Sequence, residues 1–225
     1  MKILITGANR GLGLVACESF IKDGWEVIPF TRKELDFTTI NPAWMMNLPE
    51  DIEAIIHCAG GGLGYRGPYL TSGQFYELFQ VNVGGAAEIN RRFLPRMQAE
   101  GYGRVVHVCS IASGEAVGSV GYNTVKAALG AYVRSLGREL ARYGVVVSGI
   151  SPGGFQAPGG AMARLQEANP QAYQEFIEKR LPRGRMGEAD ELIPLLRYLV
   201  SKEASMMGGS LISIDAGEGI AYNLS

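Results

Sequence analysis

Histidine and cysteine are scarce in this chain, and the shortage narrows the chemistry open to it. It holds two histidines and three cysteines. Cys17, Cys58 and Cys109 stand far apart in apolar runs. Their odd number and wide spacing match neither a disulfide frame nor a zinc-ligand pattern, so they are read as reduced, buried thiols of a cytosolic protein. His57 and His107 fall in apolar stretches expected to be central strands, where a core role is favoured over a catalytic one, and no metal site is expected. An excess of one charge is lacking too: 21 basic residues face 22 acidic ones, a net of −1. That balance gives no electrostatic reason to bind nucleic acid or an anionic membrane. No apolar run approaches the roughly 18–20 residues of a membrane-spanning helix. A strand-like run from Lys2 leaves no space for a signal peptide, so a cytoplasmic location is expected. No Pro/Ser-rich linker or charge run divides the 225 residues, and one domain over 1–225 is expected.

Glycine, by contrast, is plentiful: 31 residues, about twice the usual share, gathered at turns. The short apolar strand Lys2-Ile3-Leu4-Ile5 runs into Thr6-Gly7-Ala8-Asn9-Arg10-Gly11-Leu12-Gly13, and helical spacing follows to about Lys22, closed by Gly24. Strand, glycine-rich turn and helix together point backbone N–H groups at a diphosphate, and a Cβ at the glycines would block the ligand or the helix–strand contact. A second strand, about Glu26 to Thr31, carries Arg32 at its tip. In dinucleotide folds an acidic residue there accepts the 2′-hydroxyl of NAD, whereas an arginine suits the 2′-phosphate of NADP. With Arg32 at the tip and Arg10 in reach, NADPH is favoured over NADH. Pro29 removes a ladder donor inside this strand, and the sequence offers no account of it. A parallel crossover takes about a dozen residues, and only a few separate Thr31 from Leu35-Asp36-Phe37. The third strand is therefore expected to be a stub or missing. That leaves a Rossmann-like, doubly wound parallel sheet of six full strands, with Asp36 and Phe37 reaching the adenine from a loop.

Further along, a helix or irregular segment is expected at about Pro42 to Asn47, then a buried strand Ile52–His57 ending in Cys58-Ala59-Gly60-Gly61-Gly62. Here Ala59, Gly60 and Gly61 would let backbone approach the cofactor. Phe75 to about Met97 reads as one long helix with Asn82 in its interior, where asparagine is a poor residue and, if buried, needs partners. The apolar run Val105–Cys109 leads to Ser110, and Tyr122 to about Arg142 has helical spacing. On that helix Tyr122 and Lys126 stand four residues apart, on one face a turn apart. An ammonium beside a phenol favours the phenolate and so makes the phenol a usable proton donor or acceptor. Ser110 would hold a hydroxyl to the same spot. Strand Val145–Ile150 turns sharply at Ser151-Pro152-Gly153-Gly154. The polar, helix-prone stretch 155–181, at the carboxyl ends of the strands, is the expected substrate lid. A helix Glu188–Ser201 and a last strand Ser210–Ile214 follow.

These pieces in this order resemble, from end to end, the short-chain dehydrogenase/reductase family in its shorter single-domain branch. Thr6 to Gly13 matches its Thr-Gly-x-x-x-Gly-x-Gly; Asn82, Ser110, Tyr122 and Lys126 match its catalytic residues, and Pro152-Gly153 its turn after the strand. Arg183 to Glu188 and Asp215-Ala216-Gly217 are similar to the carboxyl-terminal part of 3-oxoacyl-carrier-protein reductases. The resemblance implies hydride transfer between NADP(H) and a carbonyl or secondary alcohol. It also implies roles: Ser110 holds the substrate oxygen and Tyr122 transfers its proton. Lys126 supports Tyr122 and the nicotinamide ribose, Asn82 positions a relay water, and Pro152, Gly153 and Phe155 meet the cofactor. Relatives form dimers or tetramers through the catalytic helix and the one before it, where Tyr132, Leu136 and Phe93 could either form that face or pack within the subunit. Some residues depart from the pattern. His57-Cys58-Ala59-Gly60 replaces Asn-Asn-Ala-Gly, the Ser-to-Tyr interval is one residue short, and Ala157 stands where relatives often have a threonine that contacts the nicotinamide amide. Arg32 to Thr38 looks more like nucleotide-sugar keto reductases, so a sugar-nucleotide reductase or epimerase remains an alternative, as does a dinucleotide-binding sensor or scaffold without chemistry. The NADPH expectation has a direct check: Arg32→Ala should lower kcat/KM for NADPH and leave that for NADH near its starting value. Equal efficiency with both cofactors and no loss in the variant would contradict it.

Overall fold

The computed structural model describes residues 1–31 and 48–221. Strands β1 (Lys2–Thr6), β2 (Glu26–Phe30), β3 (Ala54–His57), β4 (Gly103–Val108), β5 (Val145–Pro152) and β8 (Leu211–Ile214) form one sheet in the order β2-β1-β3-β4-β5-β8. Every pairing is parallel. The chain winds outward from β1 to β2, then restarts on the other side of β1 with β3. That reversal leaves a crevice at the carboxyl ends of β1 and β3, where open α/β sheets bind ligands. Among the described residues β2 is one of the two edge strands, which supplies the reason the sequence could not give for Pro29: a missing ladder donor is tolerated there.

Side-chain alternation buries both faces of the sheet. Ile3, Ile5, Ala54, Ile56, Val106 and Ile150 point to one side. They meet α1 (Gly11–Lys22) and α7 (Ala189–Val200) through Ala16, Phe20, Leu192 and Leu196. Leu4, Ile55, Val105 and Val147 point to the other side, against Ile89 and Phe93 of α3 (Gly85–Glu100) and Leu129 and Val133 of α4 (Val120–Leu140). Each fully buried aliphatic side chain of this kind contributes ~1.5–3 kcal/mol relative to exposure. Phe93 is thus packed within the subunit, and Tyr132 accepts a hydrogen bond from Asn90 Nδ2 at 3.1 Å. Among the described residues no helix is long and apolar enough to cross a membrane.

The single helix expected around Asn82 is a composite. Helix α2 (Ser72–Phe79), started by a Thr71–Gln74 capping box, passes through a π-helical turn at Gln80–Gly84 into α3. Two short strands, β6 (Phe155–Gln156) and β7 (Gly187–Glu188), pair in parallel and close off the excursion that contains α5 (Ala161–Ala168) and α6 (Pro170–Arg180).

Both histidines lie in the centre of the sheet. His57 on β3 and His107 on β4 are in register, and their rings stack at 4.5 Å. Asn90 Oδ1 lies 3.0 Å from His57 Nε2, while neither histidine's Nδ1 has a hydrogen-bond partner. A charged ring needs partners for two N–H groups, and this site does not provide them. Burial accordingly pushes His57 down to about 4, and burial plus the neighbouring His57 pushes His107 well below its ordinary value. Because the unfolded chain binds these protons more readily, the stability gained by keeping His57 neutral is present above its ordinary 6.5 and is lost as pH falls towards 4. On the order of 3 kcal/mol is at stake for His57 over that interval. Urea unfolding from pH 7 to 4 should show this decline, and His57→Asn should flatten it; equal slopes in both proteins would contradict the account.

Candidate active site

At the carboxyl ends of β1, β3, β4 and β5 the backbone folds around a cavity of about 1300 Å3. Gly7 and Gly13 make the glycine turn possible. Gly7 has φ +68°, and a Cβ on it would lie 2.9 Å from the Ala59 amide nitrogen. On Gly13 a Cβ would lie 2.3 Å from the Gly7 carbonyl oxygen. Helix α1 therefore starts hard against β1, with its N-terminal amides at the cavity wall. Its N-cap Arg10 makes no side-chain capping bond, and no acidic residue sits in the first turn. A cradle that excludes side chains, opening on a helix N-terminus, fits the diphosphate of a dinucleotide. Gly7, Asn9, Arg10, Gly11, Leu12 and Gly13 all line the cavity. Thr6 Oγ1 accepts from the Ala59 amide at 3.1 Å and so ties the β1 end to the β3 end.

Asn82 sits in the π-helical turn, 2% exposed, with its side chain fully engaged. Its Oδ1 accepts from the Gly61 amide at 3.0 Å, and its Nδ2 donates to the carbonyls of Gly61 and Leu78, each at 2.9 Å. A Cβ on Gly60 would stand 2.8 Å from Asn82 Oδ1 and 3.5 Å from Lys126 Nζ. The glycine cluster after β3 is therefore held by Asn82 on one side and lies beside Lys126 on the other.

Ser110 follows β4 and caps a single 3-10 turn, its Oγ accepting from the Ala112 amide at 3.1 Å. Tyr122 lies in the first turn of α4, where the Ser119 hydroxyl caps the helix by accepting from the Tyr122 amide. Its ring is flanked by Gly62 and Gly118. Lys126 is buried; its Nζ donates to the Val108 carbonyl at 2.9 Å and lies 5.7 Å from the centre of the Tyr122 ring. Ser110, Tyr122, Lys126, Ala59, Gly60, Gly61, Pro152, Gly153 and Phe155 share the cavity wall with the glycine turn. Arg32, Asp36, Phe37 and the segment expected at Pro42–Asn47 lie outside the described residues. Cys58 also borders the cavity, but burial raises its thiol well above the ordinary range, so it is a poor nucleophile at neutral pH.

Three contacts had no signal in the sequence. The Gly11 amide donates to the Pro158 carbonyl at 2.7 Å, which brings the start of the 155–181 excursion onto the glycine turn. Glu218, in the stretch after β8, is buried at the cavity wall; its Oε2 accepts from the Gly154 amide at 2.5 Å. Its Oε1 pairs with Arg180 at 2.8 Å. Burial raises the Glu218 carboxyl above the ordinary glutamate value, opposed by the Gly154 N–H and by Arg180.

A family model described as enoyl-(acyl carrier protein) reductase matches residues 42–218. The chain belongs to the short-chain dehydrogenase/reductase family. It is accordingly an oxidoreductase working between CH–OH and C=O groups. It is 26% identical to 2-dehydro-3-deoxy-L-rhamnonate dehydrogenase (NAD(+)) of Sphingomonas sp. (strain SKA58), over 95% of this chain and 93% of that protein. It is 28% identical to the 3-oxoacyl-(acyl-carrier-protein) reductase MabA of Mycobacterium avium, over 98% of this chain and 90% of that one. Among solved structures, a variant of actinorhodin polyketide ketoreductase with NADPH superposes at a TM-score of 0.84 with 20% identity, over 98% of this chain and 97% of that one. That likeness concerns the fold.

The packing at the glycine turn sets an expectation. Gly13→Ala should cost about 1–3 kcal/mol through overpacking against backbone, and should abolish dinucleotide binding. Urea unfolding and titration of NADPH fluorescence measure the two effects; a variant as stable and as well bound as the parent would contradict the cradle.

Proposed function

We propose that this chain is an NADP(H)-dependent reductase or dehydrogenase of ketones and secondary alcohols, with 3-oxoacyl compounds among the candidate substrates. The observation that carries the reading is the shared cavity. Ser110, Tyr122 and Lys126 border the same space as the glycine turn and the Pro152-Gly153 turn. NADP(H), when bound, supplies or takes the hydride. Gly7, Asn9, Gly11, Leu12, Gly13, Ala59, Gly60, Gly61, Pro152, Gly153 and Phe155 would hold it, and Arg10, Arg32, Asp36 and Phe37 would meet its adenosine end. Arg10 supports the choice of NADP: it lines the cavity with no acidic partner among the described residues. The relative named for NAD(+) makes the opposite choice.

In this reading the Ser110 hydroxyl holds the substrate oxygen, and Tyr122 gives that oxygen its proton during reduction and takes it back during oxidation. Lys126, fixed by the Val108 carbonyl, places a positive charge where the phenolate develops. Asn82 positions the Gly60-Gly61 backbone next to Lys126. The π-helical turn around it supplies main-chain groups released from the α-helical pattern, which suits a water relaying protons to Lys126. Residues 155–181 act as the substrate lid of a single catalytic domain: Met162, Leu165 and Phe176 face the cavity between two ends pinned by the β6–β7 pair. Homodimers or homotetramers built on α3 and α4 accord with the family, and buried free thiols at Cys17 and Cys109 accord with a cytoplasmic location.

Tyr122→Phe tests the central role. Removing the acid should reduce kcat/KM by about a hundredfold or more while NADPH binding, followed by fluorescence titration, stays intact. Turnover near that of the parent would refute the assignment.

A further inference from the structure

The charges around the cavity are lopsided. Arg10, Arg66, Lys126, Arg164 and Arg180 line it, against a single acidic residue among the described ones, Glu218. Both oxygens of Glu218 are already engaged, one by the Gly154 amide and one by Arg180. A concave wall with such an excess of cations attracts anions and concentrates them.

Apart from Lys126, Arg180 is the lining cation tied to the loop that leads from Ser110 to Tyr122. It projects from the last turn of α6, and its Nη1 donates to the Val117 carbonyl at 3.1 Å, in the loop between Ser110 and Tyr122. Through Glu218 it is also fixed to the turn after β5: a Cβ on Gly153 would lie 2.6 Å from Glu218 Oε2. The guanidinium therefore bridges the two segments that present the catalytic hydroxyls and the nicotinamide-side turn. Both residues line the cavity, and the Arg180 side chain is 27% exposed against 2% for Glu218, so the arginine is the more accessible partner. A guanidinium has five N–H donors in a rigid fork. The Val117 and Glu218 contacts take one from each terminal nitrogen, which leaves Nε–H and two further N–H groups without a hydrogen-bond partner among the described residues, while the guanidinium lies over the Phe176 ring at 5.3 Å. A pre-positioned arginine with free donors at the mouth of a catalytic centre is the arrangement that recognises a carboxylate or phosphate.

We propose that the substrate of this enzyme carries an anionic group, and that Arg180, held in place by Glu218, is the residue that selects it. This rests on the reading of the cavity as a site of hydride transfer. The pair also explains why a carboxylate is buried at the wall at all. Glu218 orients the arginine fork and keeps an unpaired cation from holding any passing anion.

The test uses the full-length protein saturated with NADP+. Matched sets of a secondary hydroxy acid, its methyl ester, and the phosphate monoester of a diol are compared by nicotinamide reduction and by calorimetric binding. The wild type should favour the anionic members over the ester by about tenfold or more in kcat/KM, as expected for a hydrogen bond to a charged group. Preference between acid and phosphate identifies which anion the site takes. Arg180→Met/Glu218→Gln removes both charges together, leaves no lone buried ion, and should erase the preference; Arg180→Lys should keep part of it. If the double variant does not fold, Glu218→Gln alone decides. It keeps an acceptor for Gly154 but releases Arg180 from the position the carboxylate holds, so binding of the matched anion should weaken several-fold. Turnover that ignores the anionic group, a preference that survives the double variant, or unchanged anion affinity in Glu218→Gln would overturn the proposal. Acid binding that depends on Arg180, with no turnover of any compound, would sustain the anion site at Arg180 and sink the hydride-transfer reading instead.

Discussion

Backbone lying directly against backbone is the constraint on which this site depends. Gly13 touches the Gly7 carbonyl, Gly7 touches the Ala59 amide, and Gly60 meets the Asn82 side chain, each at distances a Cβ would not permit. These contacts draw the β1 end, the start of α1 and the β3 end together, so that helix amides and bare main chain form the wall of the cavity. A ligand bound by main chain needs such a wall. Any side chain added there would occupy the ligand's space or push α1 off the sheet.

Around that wall the fixed polar groups act as struts. Asn82 is bonded in both directions to Gly61, and Lys126 to the Val108 carbonyl. Thr6 joins the two strand ends at Ala59. Each of these groups is held by hydrogen bonds to main chain, the kind of preorganisation that electrostatic support of a developing phenolate or alkoxide would use. The Tyr122 ring, flanked by glycines, keeps its place on α4 while the residues across the cavity belong to the excursion between β6 and β7. In the proposed reading, fixed groups on the glycine-turn side are thus combined with a separately anchored excursion between β6 and β7.

Much of this was legible in the sequence because it is written locally. The strand, glycine turn and helix of residues 2–22, the four-residue spacing of Tyr122 and Lys126, and the strand-then-Ser110 order all depend on short-range periodicity. The lack of room for a crossover after Thr31 was legible as a length argument; that segment lies outside the described residues, among which the sheet has six strands. What escaped was set by distant partners. Pro29 made sense only once β2 lay at an edge of the sheet among the described residues. The helix expected from Phe75 to Met97 contains a π-helical turn, since Asn82 gains three hydrogen bonds by stepping out of α-helical register. Arg180 and Glu218 meet across the fold and carry no spacing signal. His57 and His107 gave a correct core expectation, but their stacking arises from β3–β4 register that no single strand reveals.

The most direct measurement is a crystal structure of the protein with NADP+ bound. The account predicts the diphosphate against the amides that open α1 and the nicotinamide between the Pro152-Gly153 turn and Tyr122, with the phenol and Ser110 facing the open side of the ring. A dinucleotide bound elsewhere, or Tyr122 turned out of the cavity with cofactor present, would contradict it.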